Sequence, residues 1–167
     1  MTPTTVTSPL GAVVRDDDGM RLEFVRTYPD PIERVWAAVT DADELARWFG
    51  TWRGDPSTGT VELAMIEGDG DFHPASIVEC RAPHRLAVVV PSPDGDWPLS
   101  VELSESDGET TLVFVHRMAE PYDATSIGPG WHYYLDRLGA LIAGSPMPEG
   151  DDWPTYEPLG PAYPLPS

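Results

Sequence analysis

The clearest fold signal in the chain is the segment of residues 97–117, WPLSVELSESDGETTLVFVHR. Its first half alternates apolar residues, such as Leu99 and Leu103, with polar ones, which is the pattern of a strand buried on one face. Asp107-Gly108 favours a two-residue hairpin turn. Residues 110–117 then supply the returning strand, so the segment predicts an antiparallel hairpin.

More strands are predicted on the N-terminal side of this hairpin. Tight turns separate short apolar or alternating segments there, which is typical of an antiparallel meander. We expect strands at residues 10–15, 20–28, 61–65, 75–81 and 86–90, and turns at residues 68–70, 83–84 and 94–95. Cys80, the single cysteine, lies in one of the apolar segments, where a free thiol behaves as a small hydrophobic side chain. We therefore expect it in the core.

Two short helices are predicted between the second and third of these strands. Asp30 is the expected cap of the first, with Pro31 in its opening turn. This helix should end near Val39. Asp41 or Asp43 should cap the second, which ends before residue 50.

A longer helix is predicted near the end of the chain. It should begin at about Gly128-Pro129 and end at Ala143, with Gly144 as its stop. Its apolar residues share one helical face that can lie across the sheet: Trp131, Leu135, Leu138 and Ile142. Residues 10–144 thus form one domain, preceded by a flexible segment, residues 1–9. Residues 145–167 are rich in proline and aromatic residues, and we expect them to pack on the domain as an extended tail without regular structure.

Four motifs carry a family resemblance. They are Pro31-Ile32-Glu33-Arg34-Val35-Trp36, Thr40-Asp41, Leu45-Ala46-Arg47-Trp48-Phe49, and Gly130-Trp131 followed by Leu135-Asp136-Arg137-Leu138. In this order they resemble the START-like superfamily of polyketide cyclase and lipid-transport proteins, in particular the bacterial branch similar to the C-terminal domain of the activator of Hsp90 ATPase. Ala42 stands where a proline usually follows the Thr-Asp pair. The resemblance covers residues 20–143 and is specific for a fold rather than a function.

The resemblance implies an α+β helix-grip fold, in which a curved antiparallel sheet, two short helices and one long C-terminal helix enclose a cavity. Where the sheet and the long helix separate, inward side chains would line a ligand site. The candidate lining residues are Trp48, Phe49, Trp52, Met65, Trp97, Leu99, Phe114, Trp131, Tyr134, Leu135 and Leu138. These side chains are bulky, so the alternative is that they fill the space themselves.

Two polar residues share the inward parity of their strands. His116 follows Leu112 and Phe114 on one face, and a buried imidazole could act as an acid, a base or a hydrogen-bond anchor. Arg26 could hold a ligand carboxylate or carbonyl, or pair with an acid at the sheet edge. The other histidines, His73, His84 and His132, read as turn or surface residues. Because no pair of histidines has zinc spacing, we expect no metal. The sequence has no Gly-rich phosphate loop, and we expect no cofactor.

The charge balance narrows the classes of partner. The chain has 28 acidic and 10 basic residues, a formal charge of -18, which repels nucleic-acid phosphates and anionic membranes. No apolar run approaches the roughly 18 residues that a spanning helix needs, and residues 1–9 lack the pattern of a signal peptide. We therefore expect a cytoplasmic protein that inserts into no membrane.

Three functions remain open from the sequence. The leading hypothesis is binding of an apolar aromatic or lipid-like small molecule in the cavity. The second is a cyclase or aromatase in which His116, with Tyr134 or Arg26, moves a proton. The third is a protein-interaction module that docks through the acidic surface or the tail. Both a monomer and a homodimer are compatible with the sequence.

Overall fold

The computed structural model describes residues 8–66, 70–91, 96–118 and 124–163. Within these ranges one open antiparallel sheet has the strand order β1-β2-β8-β7-β6-β5-β4-β3. Its strands are β1 (Ala12–Asp16), β2 (Gly19–Tyr28), β3 (Gly50–Arg53), β4 (Thr60–Met65), β5 (His73–Arg81), β6 (Arg85–Val90), β7 (Trp97–Ser106) and β8 (Glu109–Met118). Four of the turn residues predicted above, 68–69 and 94–95, lie outside the described ranges, as do residues 1–7 of the N-terminal segment.

The hairpin predicted from residues 97–117 is confirmed. Leu99 pairs with His116 and Leu103 with Leu112 along β7 and β8. Asp107 and Gly108 both have positive φ angles, 54° and 78°, as the mirror-image turn of a two-residue hairpin requires. This hairpin occupies the centre of the sheet, and β2 pairs with its other side.

The two short helices lie close to their predicted positions in the chain, but the first is capped differently. They are α1 (Ile32–Thr40) and α2 (Ala42–Leu45). Asp30 does not cap α1, because Pro31 occupies the cap position and makes no side-chain cap bond. The first N–H of the helix, on Ile32, instead donates to Glu105 at 2.7 Å. Asp41 caps α2, accepting hydrogen bonds from the N–H groups of residues 43 and 44.

The long helix, α3 (Ala124–Ala143), begins earlier than predicted and contains Pro129. Pro129 lacks the N–H that would bond to the carbonyl of Thr125, but one missing bond does not end a helix that packs on a core. Gly144, with a φ of 70°, terminates it as expected. The predicted apolar face is buried along its length: Trp131, Leu135, Leu138 and Ile142. The structure therefore confirms the helix-grip architecture.

The C-terminal segment forms helical turns, contrary to the extended tail that we predicted. They are a 3-10 turn (Gly150–Asp152), α4 (Trp153–Tyr156) and a second 3-10 turn (Glu157–Ala162). The segment lies along α3 and ends in Tyr163, which is fully buried. Gly128 makes room for this ring, since a Cβ at Gly128 would lie 2.5 Å from it.

The Tyr163 hydroxyl joins the two ends of the described chain. It accepts a hydrogen bond from the Gly11 N–H at 3.2 Å and lies 3.2 Å from Nδ1 of His132. Replacing Tyr163 by Phe leaves both groups without this partner, and we expect the free energy of unfolding to fall by about 1–3 kcal/mol. Urea denaturation measures the change. Tyr163→Leu should lower it further, because it also removes the ring, whereas a wild-type value for Tyr163→Phe would contradict the role of the hydroxyl.

Candidate functional site

A cavity of about 210 Å³ lies between the inner face of the sheet and the helices. Its lining is almost wholly aliphatic and aromatic, and the other residues in it are Thr40, Cys80 and Ser100. Ser100 alternates with the inward-facing Leu99 and Val101 along β7, so its side chain points to the opposite face of the sheet. Eight of the twelve predicted site residues line it: Trp48, Phe49, Trp52, Leu99, Phe114, Trp131, Leu135 and Leu138. The bulky rings therefore leave space rather than filling it.

The remaining lining residues were not singled out in the sequence. They are Val39, Thr40, Leu45, Pro56, Val61, Leu63, Ala75, Ile77, Cys80, Leu86, Val88, Val90, Ser100, Val101 and Leu112. Most are small aliphatic residues on the strands, which share the inward parity of the predicted ones. Parity alone could have named them, but it cannot tell a wall residue from a packed one.

Hydrogen bonds fix the indole rings of the wall at their polar edges. Nε1–H of Trp48 donates to the Ala38 carbonyl at 2.8 Å, and Nε1–H of Trp52 to the Thr40 carbonyl at 2.8 Å. Both carbonyls belong to α1. Nε1–H of Trp131 donates to Nδ1 of His116 at 3.0 Å. Because all three N–H groups are already bonded, these rings present hydrocarbon to the cavity.

His116 is not among the residues that line the cavity, and it contacts the lining residue Trp131. Its side chain is buried, and burial lowers its pKa to about 4. The imidazole is therefore neutral near pH 7, and one of its nitrogens accepts from Trp131. The Trp97 ring, 4.9 Å from the imidazole between centroids, also lies outside the lining because it packs on His116.

Met65 and Tyr134 are the other two predicted residues that do not line the cavity. Met65 pairs with Gly50 at the β3 edge of the sheet. The Tyr134 ring packs on Phe49 and Trp131, with centroids 5.8 and 6.0 Å away. Tyr134 thus contacts two residues of the cavity lining without lining the cavity itself.

Arg26 and His132 both lie within about 4 Å of Asp136, on a side of α3 that does not line the cavity. The Arg26 side chain is 7% exposed, and its Nη2 lies 4.0 Å from Asp136. Burial lowers the pKa of Arg26, and the Asp136 carboxylate opposes that shift. The prediction that His132 is a surface residue is wrong, because the C-terminal segment covers this side of the helix and His132 is fully buried.

Cys80 is exposed, so its prediction as a core residue is wrong. It pairs with Leu86 on the inner face of the sheet, but the main helix contacts are to β2, β3, β7 and β8. The inner face is therefore open to solvent at the Cys80 end of β5, whereas Ala75 on the same strand is buried. We define the mouth of the cavity by its exposed lining residues, Pro56 and Cys80, together with the half-buried Trp52 and Thr40, which a hydrogen bond joins.

Comparison with known families agrees with this architecture. The model of the family described as activator of Hsp90 ATPase homolog 1-like protein matches residues 30–143. The chain belongs to this family. The predicted resemblance to the START-like superfamily is thereby confirmed.

Several solved structures are similar to this chain over three quarters of its length or more. The crystal structure of CalU16 from Micromonospora echinospora is 26% identical, with a TM-score of 0.73 and 92% of each chain covered. The protein encoded by gene BPP1335 of Bordetella parapertussis is 27% identical, with a TM-score of 0.72 over 99% of this chain and 96% of that one. DynU16, from the dynemicin biosynthetic locus, is 25% identical with a TM-score of 0.63, over 75% of this chain and 48% of its own. No curated protein matches the chain.

Within the described residues, no helix is both long and apolar enough to span a bilayer.

The buried His116 makes stability depend on pH. Its pKa is about 4 in the folded protein and about 6.5 when unfolded, so the unfolded chain binds more protons between these values. The contribution is complete above about pH 6.5 and is lost as the pH falls towards 4, a change of about 3 kcal/mol. His116→Asn keeps an acceptor near Nδ1 and does not titrate, so its unfolding free energy should fall less steeply over this range.

Urea denaturation at a series of pH values between 4 and 7 measures this difference. His73→Asn, at an exposed position of β5, is the control and should follow the wild type. Parallel curves for His116→Asn and the wild type would show that the imidazole is not buried in its neutral form.

Proposed function

We propose that the protein binds a small apolar, ring-containing molecule in this cavity. The observation that carries the proposal is a cavity of about 210 Å³ with an apolar lining, whose tryptophans have their N–H groups bonded elsewhere. With such a lining, the affinity of a ligand depends on its shape and on its apolar contacts. The lining would leave a deeply buried polar group of a ligand without a partner.

The volume sets the size of the ligand. An engineered apolar cavity of about 150 Å³ binds benzene, so about 210 Å³ suits one or two fused rings. The aromatic side chains around it offer tilted and stacked contacts. Phe49 and Trp131, for example, have centroids 5.7 Å apart at 22°. A flat ring is therefore better matched than a flexible chain.

Empty space of this size is expensive for a small domain. At about 24 cal/mol per Å³, a fully enclosed void of about 210 Å³ would cost on the order of 5 kcal/mol, which is an upper bound for this cavity because it opens at its mouth. That is a large part of the 5–15 kcal/mol by which domains are typically stable. A ligand that fills the space would restore the missing contacts, which favours a binding site over a packing defect.

A cyclase or aromatase is the second candidate, and DynU16, which belongs to a biosynthetic locus, favours keeping it. The positions of the acid–base residues favour binding instead. His116 is not among the lining residues and bonds to Trp131, and Arg26 faces Asp136 on the other side of α3. The cavity lining itself contains no carboxylate, imidazole or guanidinium among the described residues.

A cavity-filling substitution tests the binding proposal. Naphthalene at a concentration 100 times its Kd should stabilise the wild type by about 2.7 kcal/mol, which raises Tm by about 5–10 °C for a domain of this size. Ala75→Leu adds three carbon atoms to the wall and should abolish this shift. Differential scanning calorimetry measures both.

The control is Ala87→Leu, on the opposite face of the neighbouring strand β6, where the pairing places it across from Glu79 and Ser100. This variant should retain the wild-type shift. If benzene, indole, naphthalene and cyclohexane all leave the wild-type Tm unchanged, the proposal is wrong.

A further inference from the structure

The cavity changes character from its deep end to its mouth. At the deep end the wall residues are buried and apolar, among them Ala75, Leu99, Phe114 and Leu138. At the mouth the lining includes the hydroxyl-bearing Thr40 and the thiol-bearing Cys80. A ligand would therefore place its ring inside and keep any polar group at the mouth, where water and these side chains can solvate it.

Two acidic residues adjoin mouth residues in the chain. Asp41 directly follows Thr40, and Asp55 directly precedes Pro56, and both acids are exposed. Asp41 accepts the cap bonds of α2. Asp55 accepts from the N–H and the hydroxyl of Ser57, and these bonds lower the pKa of Asp55. Both side chains are thus held in place by hydrogen bonds.

The two arginines that directly follow mouth residues in the chain, Arg53 and Arg81, are paired with acids. Arg53 lies 2.6 Å from Glu62 and over the Phe72 ring, at 3.8 Å from its centroid. Arg81 lies 3.1 Å from Glu79, and Arg34 lies 3.2 Å from Glu44. The chain as a whole carries a charge of -18. The field at the mouth is therefore negative, and these pairs leave it little positive charge with which to receive an anion.

We infer that the cavity selects ligands whose polar end is neutral or cationic and discriminates against carboxylates. This inference rests on the proposed function and specifies its ligand class. It separates neutral or amine-bearing aromatic compounds from aromatic acids and fatty acids, which share an apolar body and differ in the charge of the end.

A series of three probes of nearly equal shape tests the inference: 2-naphthoate, 2-naphthamide and 2-naphthamidine, which are anionic, neutral and cationic at pH 7.5. Isothermal titration calorimetry at low salt should give a Kd for the carboxylate about tenfold higher than for the amide. The amidinium should bind at least as tightly as the amide. Because exposed charges are screened by salt, the difference should shrink in 1 M NaCl.

Variants locate the source of the discrimination. The double variant Asp41→Asn/Asp55→Asn retains side chains that can cap and removes two charges, so it should bring the Kd of 2-naphthoate closer to that of 2-naphthamide. Asp17→Asn/Asp18→Asn removes the same charge from the exposed turn between β1 and β2, at the other edge of the sheet, and should keep the wild-type ratio.

The outcomes separate this inference from the proposed function. If 2-naphthoate binds as tightly as 2-naphthamide at low salt, the inference is wrong and the binding function stands. If the ratio is unchanged in Asp41→Asn/Asp55→Asn, the mouth acids are not its source and the inference also fails. If no probe binds, and naphthalene itself does not, both the function and the inference are overturned.

Discussion

The cavity exists because three indole rings are fixed by their N–H groups. A buried Trp N–H needs an acceptor, and here the acceptors belong to α1 and to β8, which bound the space. The carbonyls of Ala38 and Thr40 hold Trp48 and Trp52 against α1, and His116 holds Trp131 on the side of the sheet. Rings anchored in this way cannot move to the centre without breaking a buried hydrogen bond, so they line the space instead of closing it.

The helix α3 lines the apolar cavity on one side and makes hydrogen bonds to the C-terminal segment on another. Leu135 and Leu138 face the cavity, while Asp136 on another side of the helix accepts a hydrogen bond from the Tyr156 hydroxyl at 2.7 Å. Arg137 donates to the carbonyl of Pro148 at 2.6 Å and to that of Trp48 at 3.2 Å. The Arg137 guanidinium thus bonds both to the C-terminal segment and to the backbone of a lining residue, Trp48. This arrangement keeps the helix in position without filling the cavity beneath it.

The sequence predicts the fold well because strand alternation, turn dipeptides and the apolar face of α3 are local signals. It predicts which side chains point inward less usefully, since His116 and Phe114 share a strand face and only Phe114 reaches the cavity. The errors at Cys80 and His132 have one cause. Whether an inward or helical residue meets solvent depends on which segment covers it, and coverage by α1 or by residues 145–163 is a tertiary property that no local pattern contains.

The central claim is that an apolar space persists between the sheet and α3, and xenon tests it most directly. Xenon enters apolar cavities of this kind without needing a polar partner. A crystal of the protein pressurised with xenon should show a xenon atom bounded by Val88, Leu99 and Trp131, with all three indole N–H bonds intact. Absence of xenon there, with the rings of Trp48, Trp52 and Trp131 packed against one another across the space, would contradict the account.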